Sequence, residues 1–264
     1  MAKVKELRDF FNTRAPFYTK FDFDNIGFLI GFAEQNVRKV LLALDITDEV
    51  IEEAIDMGAE VIVSHHPLIF EPLKKVTDDD DKGRKIIRLI QAGVSAICLH
   101  TNLDTADGGV NDALMAALGA RVTGLLDPHG SHPDGRAYGV SRLGELAEAK
   151  HFDEFLTHCK AALKSNGLRY HYAGKAVQKI ACCGGAGGSD MQKAYAAGCD
   201  TYITADLKYD HFLWAKEHGL NLIDGDHYCT ENVVIPVLQA MLKENFPDLD
   251  VQISLSHKQV VQFF

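Results

Sequence analysis

Long apolar runs are missing from this 264-residue chain, and no stretch approaches the length that spans a bilayer. The opening residues, MAKVKELRDFFNTRAPFY, mix charges and lack the apolar core of a secretory signal, so a cytoplasmic location is expected. Paired CxxC spacing is also absent. The six cysteines, Cys98, Cys159, Cys182, Cys183, Cys199 and Cys229, therefore argue against a thiolate zinc site and against a disulfide-dense scaffold. Cys98 and Cys199 stand in contexts that suit buried thiols, whereas Cys229 has unusual polar neighbours. An excess of basic charge is lacking too. A net charge of −10 argues against nonspecific nucleic-acid binding and against acidic membranes, and leaves a local basic site open. The glycine-rich CCGGAGGSDM contains neither GxGxxG nor the Walker Lys-Ser/Thr pair. It reads instead as a tight strand-to-helix turn capped by Ser189.

What is present suits a soluble globular protein with a substantial core, as one large domain or two smaller ones. Strand and helix signals alternate in the first half. Lys3 to Asn12 reads as a helix and KVLLALDI as a buried strand. Thr47 is placed to cap the helix DEVIEEAIDMG, and Gly58 to close it. EVIVSHH, GRKIIRLIQAG and VSAICLHTNLD follow as strand, helix and strand. This order implies a largely parallel sheet with helices on both sides. The acidic TDDDDKGRK reads as a solvated loop ahead of a helix. Thr123 to Gly139, rich in Gly, Pro and His, breaks the rhythm and reads as a passage between domains. His129 and His132 lie in it as loop residues.

Beyond it the alternation resumes, with strands VQKIACCGG, DTYITAD and NLIDGDHY. A final helix, CTENVVIPVLQAMLKEN, tolerates Pro236 near its first turns. The segments EEAIDMGAEVIVSHHPL and QKAYAAGCDTYITADLK share one scheme of helix, Gly, acid, apolar strand and polar loop. Either one α/β unit is repeated or generic helix–strand grammar gives the likeness; two related α/β domains with largely parallel or mixed sheets flanked by helices are expected. The boundaries implied are 1–126 with 222–264 for a metal-binding domain and 127–221 for a second one.

The stretch VIVSHHPL ends an apolar strand on two imidazoles and a proline. Adjacent side chains on a strand point to opposite faces, so His65 and His66 share one ligand only if the strand stops there. Pro67 favours that stop. CLHTNLD places His100 and Asp104 beyond another apolar strand, and GDHYCTE places His227 and Glu231 four residues apart at a helix start. Each segment alone is explained by loop solvation or a helix-start charge. Parallel strands, however, bring their ends to a common edge. Three imidazoles with two carboxylates exceed one tetrahedral zinc site and suit two ions bridged by a carboxylate.

The motifs SHHPLIF, LHTNLD, YITADLKY and NLIDGDHYCTE, with FDNIGFLIG ahead of them, together resemble the NIF-three-like family, known as type 2 homologues of GTP cyclohydrolase I. The resemblance spans nearly the whole chain. It implies a dinuclear site in which His66 and Asp104 hold one ion, His65 and His227 the other, and Glu231 bridges them. It also implies the short form of the family, without the mid-chain insertion domain, and a ring-like homo-oligomer, a hexamer. The chain departs from the family's usual glycine and alanine in the last motif, where it has Asp226 and Cys229. Asp226 either adds charge near the metals or caps a turn, and Cys229 has the option of packing away from them. His211 is not assigned as a ligand, because KYDH exchanges the usual order.

Two divalent ions, zinc, iron or manganese, are the expected cofactors, and a small molecule such as a nucleotide the expected substrate. The implied reaction is metal-assisted ring opening of GTP with release of formate. His100, if not a ligand, is a candidate proton shuttle or supporting residue. Asp24 and Asn25 either shape the pocket or form a turn. A metal-stabilised regulatory or interaction protein and a dinuclear phosphoester hydrolase are the alternatives.

Overall fold

Short runs of β-branched and aliphatic residues, buried on both faces, set the centre of each of two sheets. The structure is a computed structural model that describes residues 1–264. The chain divides into two units, one of residues 1–103 with 235–258 and the other of residues 104–234 with 259–264.

The first unit is built on a five-stranded sheet in the order Asp250–Ile253, Lys39–Ala43, Val61–Ser64, Ser95–Cys98, Gly27–Ile30. The first four strands run parallel and Gly27–Ile30 is antiparallel at the edge. Every residue of Val61–Ser64 is buried, which explains its unbroken apolar character. The helix Asp48–Met57 starts where the Thr47 hydroxyl accepts from Val50 N at 3.2 Å and stops at Gly58, whose φ of 67° is left-handed. Asp80, within the acidic run, caps the helix Asp81–Gln91 by accepting from Gly83 N at 2.7 Å. That run is thus partly a helix cap. The apolar faces of both helices close over Leu41, Ile62 and Ala96 through Val50, Ile51, Ala54, Ile86 and Leu89.

The second unit carries a six-stranded sheet in the order Arg169–His171, Asn221–Asp224, Thr201–Thr204, Val177–Cys182, Arg142–Lys150, Ala120–Leu125. Its strands 177–182, 201–204 and 221–224 are parallel, and the remaining neighbours in the sheet pair antiparallel. Phe155, Cys159, Ile180, Cys182, Ile203 and Ile223 form its core. The two echoing segments occupy matching places: Val61–Ser64 and Thr201–Thr204 each have a parallel strand on both sides. Two α/β units with mixed sheets and flanking helices are what the chain forms.

Three details differ from expectation. Ala120–Leu125 and Asn221–Asp224 are hydrogen-bonded into the six-stranded sheet, so the second unit reaches beyond 127–221 at both ends. Thr123 to Gly139 lies inside that unit. Its Gly, Pro and His content serves a small hairpin, Gly130–Ser131 against Ala137–Tyr138, rather than an interdomain passage. Ser189 caps nothing, because a 3-10 turn at Gly188–Asp190 already leads into the helix Met191–Ala196.

One buried charge organises the start of the second unit. Arg142, 2% exposed, donates to Asp112 at 2.6 Å and to the carbonyl oxygens of Thr105, Ala106, Gly139 and Val140. Removing one partner of such a group leaves the rest buried without compensation. Arg142→Ala is expected to lower unfolding stability by about 3–5 kcal/mol. Urea denaturation checks this, and a loss under ~1 kcal/mol would show that the carbonyls find other donors.

Candidate metal site

In the first unit the strand ends at Ser64 because two successive amides turn to one acceptor. His65 N and His66 N both donate to Leu44 O, at 3.1 and 2.8 Å. This curl defeats strand alternation and brings the two rings to 5.0 Å between centroids. His100, beyond the adjacent strand Ser95–Cys98, lies 5.3 Å from His65 and 5.6 Å from His66 by the same measure. The three histidines each offer a ring nitrogen within 4.8 Å of the others.

Each of these rings is held by its Nδ1. His65 Nδ1 meets Leu99 O at 2.7 Å, His66 Nδ1 meets Asp45 Oδ1 at 2.8 Å, and His100 Nδ1 meets Asp24 Oδ1 at 2.7 Å. A neutral imidazole that donates from Nδ1 presents its lone pair at Nε2, the form a metal ion takes. The acceptors are anionic. Burial, the largest influence on Asp24, raises its carboxyl, but bonds from His100 and Thr101 outweigh that and bring it down to about 2. Asp45 is likewise opposed by burial and held well below the usual carboxylate range by bonds from His257 and His66. Asn25 donates to Ile69 O at 2.6 Å and so fixes the loop that follows the histidine doublet.

In the second unit the short helix His227–Glu231 sets its two named residues one turn apart. His227 Nε2 lies 3.1 Å from Glu231 Oε2, and its Nδ1 lies 2.8 Å from Asp206 Oδ2. Asp104 and Glu231, both buried, offer carboxylate oxygens within 4.8 Å of each other. Burial, again the largest influence, disfavours charge on His227, but Glu231 and then Asp206 overcome it and raise the ring to about 9.

The glycine-rich loop makes room for this pair. A Cβ at Gly185, whose φ is +64°, would stand 2.1 Å from Glu231 Oε1 and 3.2 Å from His227 Cε1. Asn111, fully buried, donates to Asp104 O at 3.2 Å and accepts from Gly184 N at 2.8 Å, tying the acid's backbone to that loop. Strain collects here as well. Asp206 and Asp226 are two of the three non-glycine residues with positive φ, at 55° and 72°. Asp226 combines its φ with a ψ of 138°, a region that glycine occupies without cost, which accounts for glycine in the motif this chain departs from. Its carboxylate accepts from Cys229 N at 3.2 Å, so Asp226 is a helix cap. Cys229 packs into the core of the unit, and burial pushes its thiol up to about 12. His211 accepts from Lys208 N at 3.1 Å within a helix start.

The six site residues named from sequence thus fall into two groups, His65, His66 and His100 in one unit and Asp104, His227 and Glu231 in the other. Asp45, Asp206, His257, Asn111 and Gly185 were missed. Asp45 and Asp206 carried a signal, since each follows a buried strand just as the histidine doublet does. The imidazole nitrogens of the first unit, and the imidazole nitrogen and buried carboxylate oxygens of the second, are each donors able to hold a metal ion.

An α/β protein of two sheets with groups able to hold metal is the class this describes. The chain belongs to the Duf34/NIF3 (NGG1p interacting factor 3) family, which matches residues 2–260. It is 37% identical over 257 residues to the GTP cyclohydrolase 1 type 2 homolog of Clostridium perfringens, covering 96% of each chain. Its fold matches the crystal structure of a Bacillus cereus protein related to NIF3, with a TM-score of 0.92, 27% identity and all of both chains covered. With the Staphylococcus aureus (strain COL) homolog of the same name it aligns at 26% identity over 368 positions, covering 99% of this chain and 100% of the relative. That alignment exceeds the 264 residues here, so the relative carries an insertion that this chain lacks.

The His227 arrangement fixes a titration. A ring raised from 6.5 to about 9 stabilises the fold fully below pH 6.5 and loses that contribution as pH rises through about 9. In metal-free protein, NMR of the His227 ring is expected to give a midpoint near 9, moving down in Glu231→Gln. A midpoint at the ordinary histidine value would contradict the pairing.

Proposed function

We propose that the protein is a metal-dependent hydrolase whose ligands are His65, His66, Asp104, His227 and Glu231, with two divalent ions held and Glu231 shared between them. The observation that carries this reading is the clustering of His65, His66 and His100, each fixed through Nδ1 to a carbonyl or a carboxylate, with His227 held likewise one turn from Glu231. Metal-bound histidines regularly have such support. Bound divalent ions would supply a water of lowered pKa and would stabilise developing oxyanion charge.

The chain's own residues then hold and move protons. Asp24 keeps His100 oriented, so that Nε2 of His100 accepts or returns a proton at the reacting centre. Asp206 does the same for the orientation of His227, and Asp45 for that of His66. The name of the Clostridium perfringens relative, GTP cyclohydrolase 1 type 2 homolog, makes ring opening of GTP with formate release the first activity to assay. The family resemblance also favours a cytoplasmic homohexamer. Light scattering is expected to report a hexamer, and a concentration-independent monomer would remove that proposal.

Loaded protein is expected to hold two equivalents of metal by elemental analysis. Glu231→Gln removes the charge that offsets repulsion between the ions and is expected to empty both positions; His65→Ala or His66→Ala should empty mainly one. Wild-type stoichiometry and affinity in Glu231→Gln would defeat the bridge. A nucleotide panel completes the test: formate release supports the cyclohydrolase reading. Phosphate release would replace it with phosphoester hydrolysis, and no turnover with metal bound would leave a regulatory metal protein.

A further inference from the structure

We infer that His257, near the C-terminal end, is a positioning residue for His66, acting through Asp45 to fix the ring that takes the metal. This rests on the metal-binding reading of His66. Asp45 commits one oxygen to each of two imidazoles: Oδ1 lies 2.8 Å from His66 Nδ1, and Oδ2 lies 2.9 Å from His257 Nε2. The carboxylate side chain is 40% exposed, so a single bond would leave it rotamers that turn toward water. The second bond, from a ring only 9% exposed, fixes its plane.

His257 is not needed to hold its own segment down. Glu53 on the helix Asp48–Met57 already grips that turn, accepting from the Ser254 hydroxyl, from Leu255 N at 2.9 Å and from Ser256 N at 3.2 Å. The ring then projects from an anchored turn, with His257 N bonded to the Ser254 hydroxyl at 3.2 Å. Among His65, His66, His100 and His227, His66 is the one whose carboxylate partner is gripped by a further imidazole. A carboxylate behind a ligating histidine sets its tautomer and raises its basicity, and losing such support commonly weakens metal binding by about 10–100-fold. The turn Ser254–His257 therefore belongs to the metal-binding machinery of the first unit.

The test compares wild type with His257→Ala and with His257→Gln, which keeps a side-chain N–H donor. Two readouts are used: zinc affinity by chelator competition, and the tautomer of the His66 ring by nitrogen NMR in metal-free protein. In wild type His66 is expected to carry its proton on Nδ1. His257→Ala is expected to mix the tautomers and to weaken one of the two ions by about 10–100-fold, with His257→Gln restoring most of both. An unchanged tautomer and unchanged affinity in His257→Ala would overturn the inference. So would equal weakening of both ions together with a lower melting temperature that Gln does not rescue. If wild type takes up no zinc while the tautomer still responds to His257→Ala, the metal reading falls and the positioning role stands.

Discussion

Holding an imidazole by Nδ1 is the constraint on which the candidate site depends. A free ring rotates about two torsions and exchanges tautomers, so it meets a metal ion in the right form only part of the time. Here Leu99 O, Asp45, Asp24 and Asp206 take that freedom away from His65, His66, His100 and His227. Each acceptor lies just beyond a strand end or in the loop joined to one. The sheet therefore sets the acceptors, the acceptors set the rings, and in His65, His66 and His100 the rings set the Nε2 lone pairs. Leu44 O, accepting from both His65 and His66, makes the doublet work as a pair rather than as opposite faces of a strand.

The second unit reaches a comparable end by another route. Its carboxylates need space and a fixed backbone more than they need orientation. Gly184 and Gly185 leave the space, Asn111 ties the loop to Asp104, and Arg142 gathers the carbonyls of Thr105 and Ala106 just after that acid. Positive φ at Asp206 and Asp226 is retained beside His227, each at a cost on the order of 1–3 kcal/mol that better-packed regions offset. Strain of that kind, concentrated around one helix of five residues, accords with a functional rather than a purely structural demand.

Much of this was legible in the sequence because it is local. Thr47 and Gly58 bound their helix by short-range chemistry, and the β-branched run before His65 marks a strand that stops at Pro67. The two echoing segments shared one scheme, and the strand of each lies with a parallel neighbour on both sides. What the sequence hid was non-local. Pairing of Ala120–Leu125 with Arg142–Lys150 depends on a register seventeen or more residues away, so the hairpin-rich stretch between them looked like a linker. His257 approaches Asp45 across 212 positions, and no periodicity or spacing announces that. The glycines of CCGGAGGSDM suggested a turn, and only their closeness to Glu231 shows what the turn is for.

The proposed metal is held by nitrogen and oxygen. All six cysteines are buried, and burial pushes Cys183, whose surroundings include Asp104 and Glu231, up to about 12, so its thiol keeps its proton. X-ray absorption at the edge of the bound metal in loaded protein addresses this most directly. The expected spectrum has a first shell of light atoms only, the outer scattering of imidazole rings, and a second metal at about 3.5–4 Å. A sulfur shell near ~2.3 Å, or a shell without imidazole scattering, would contradict it.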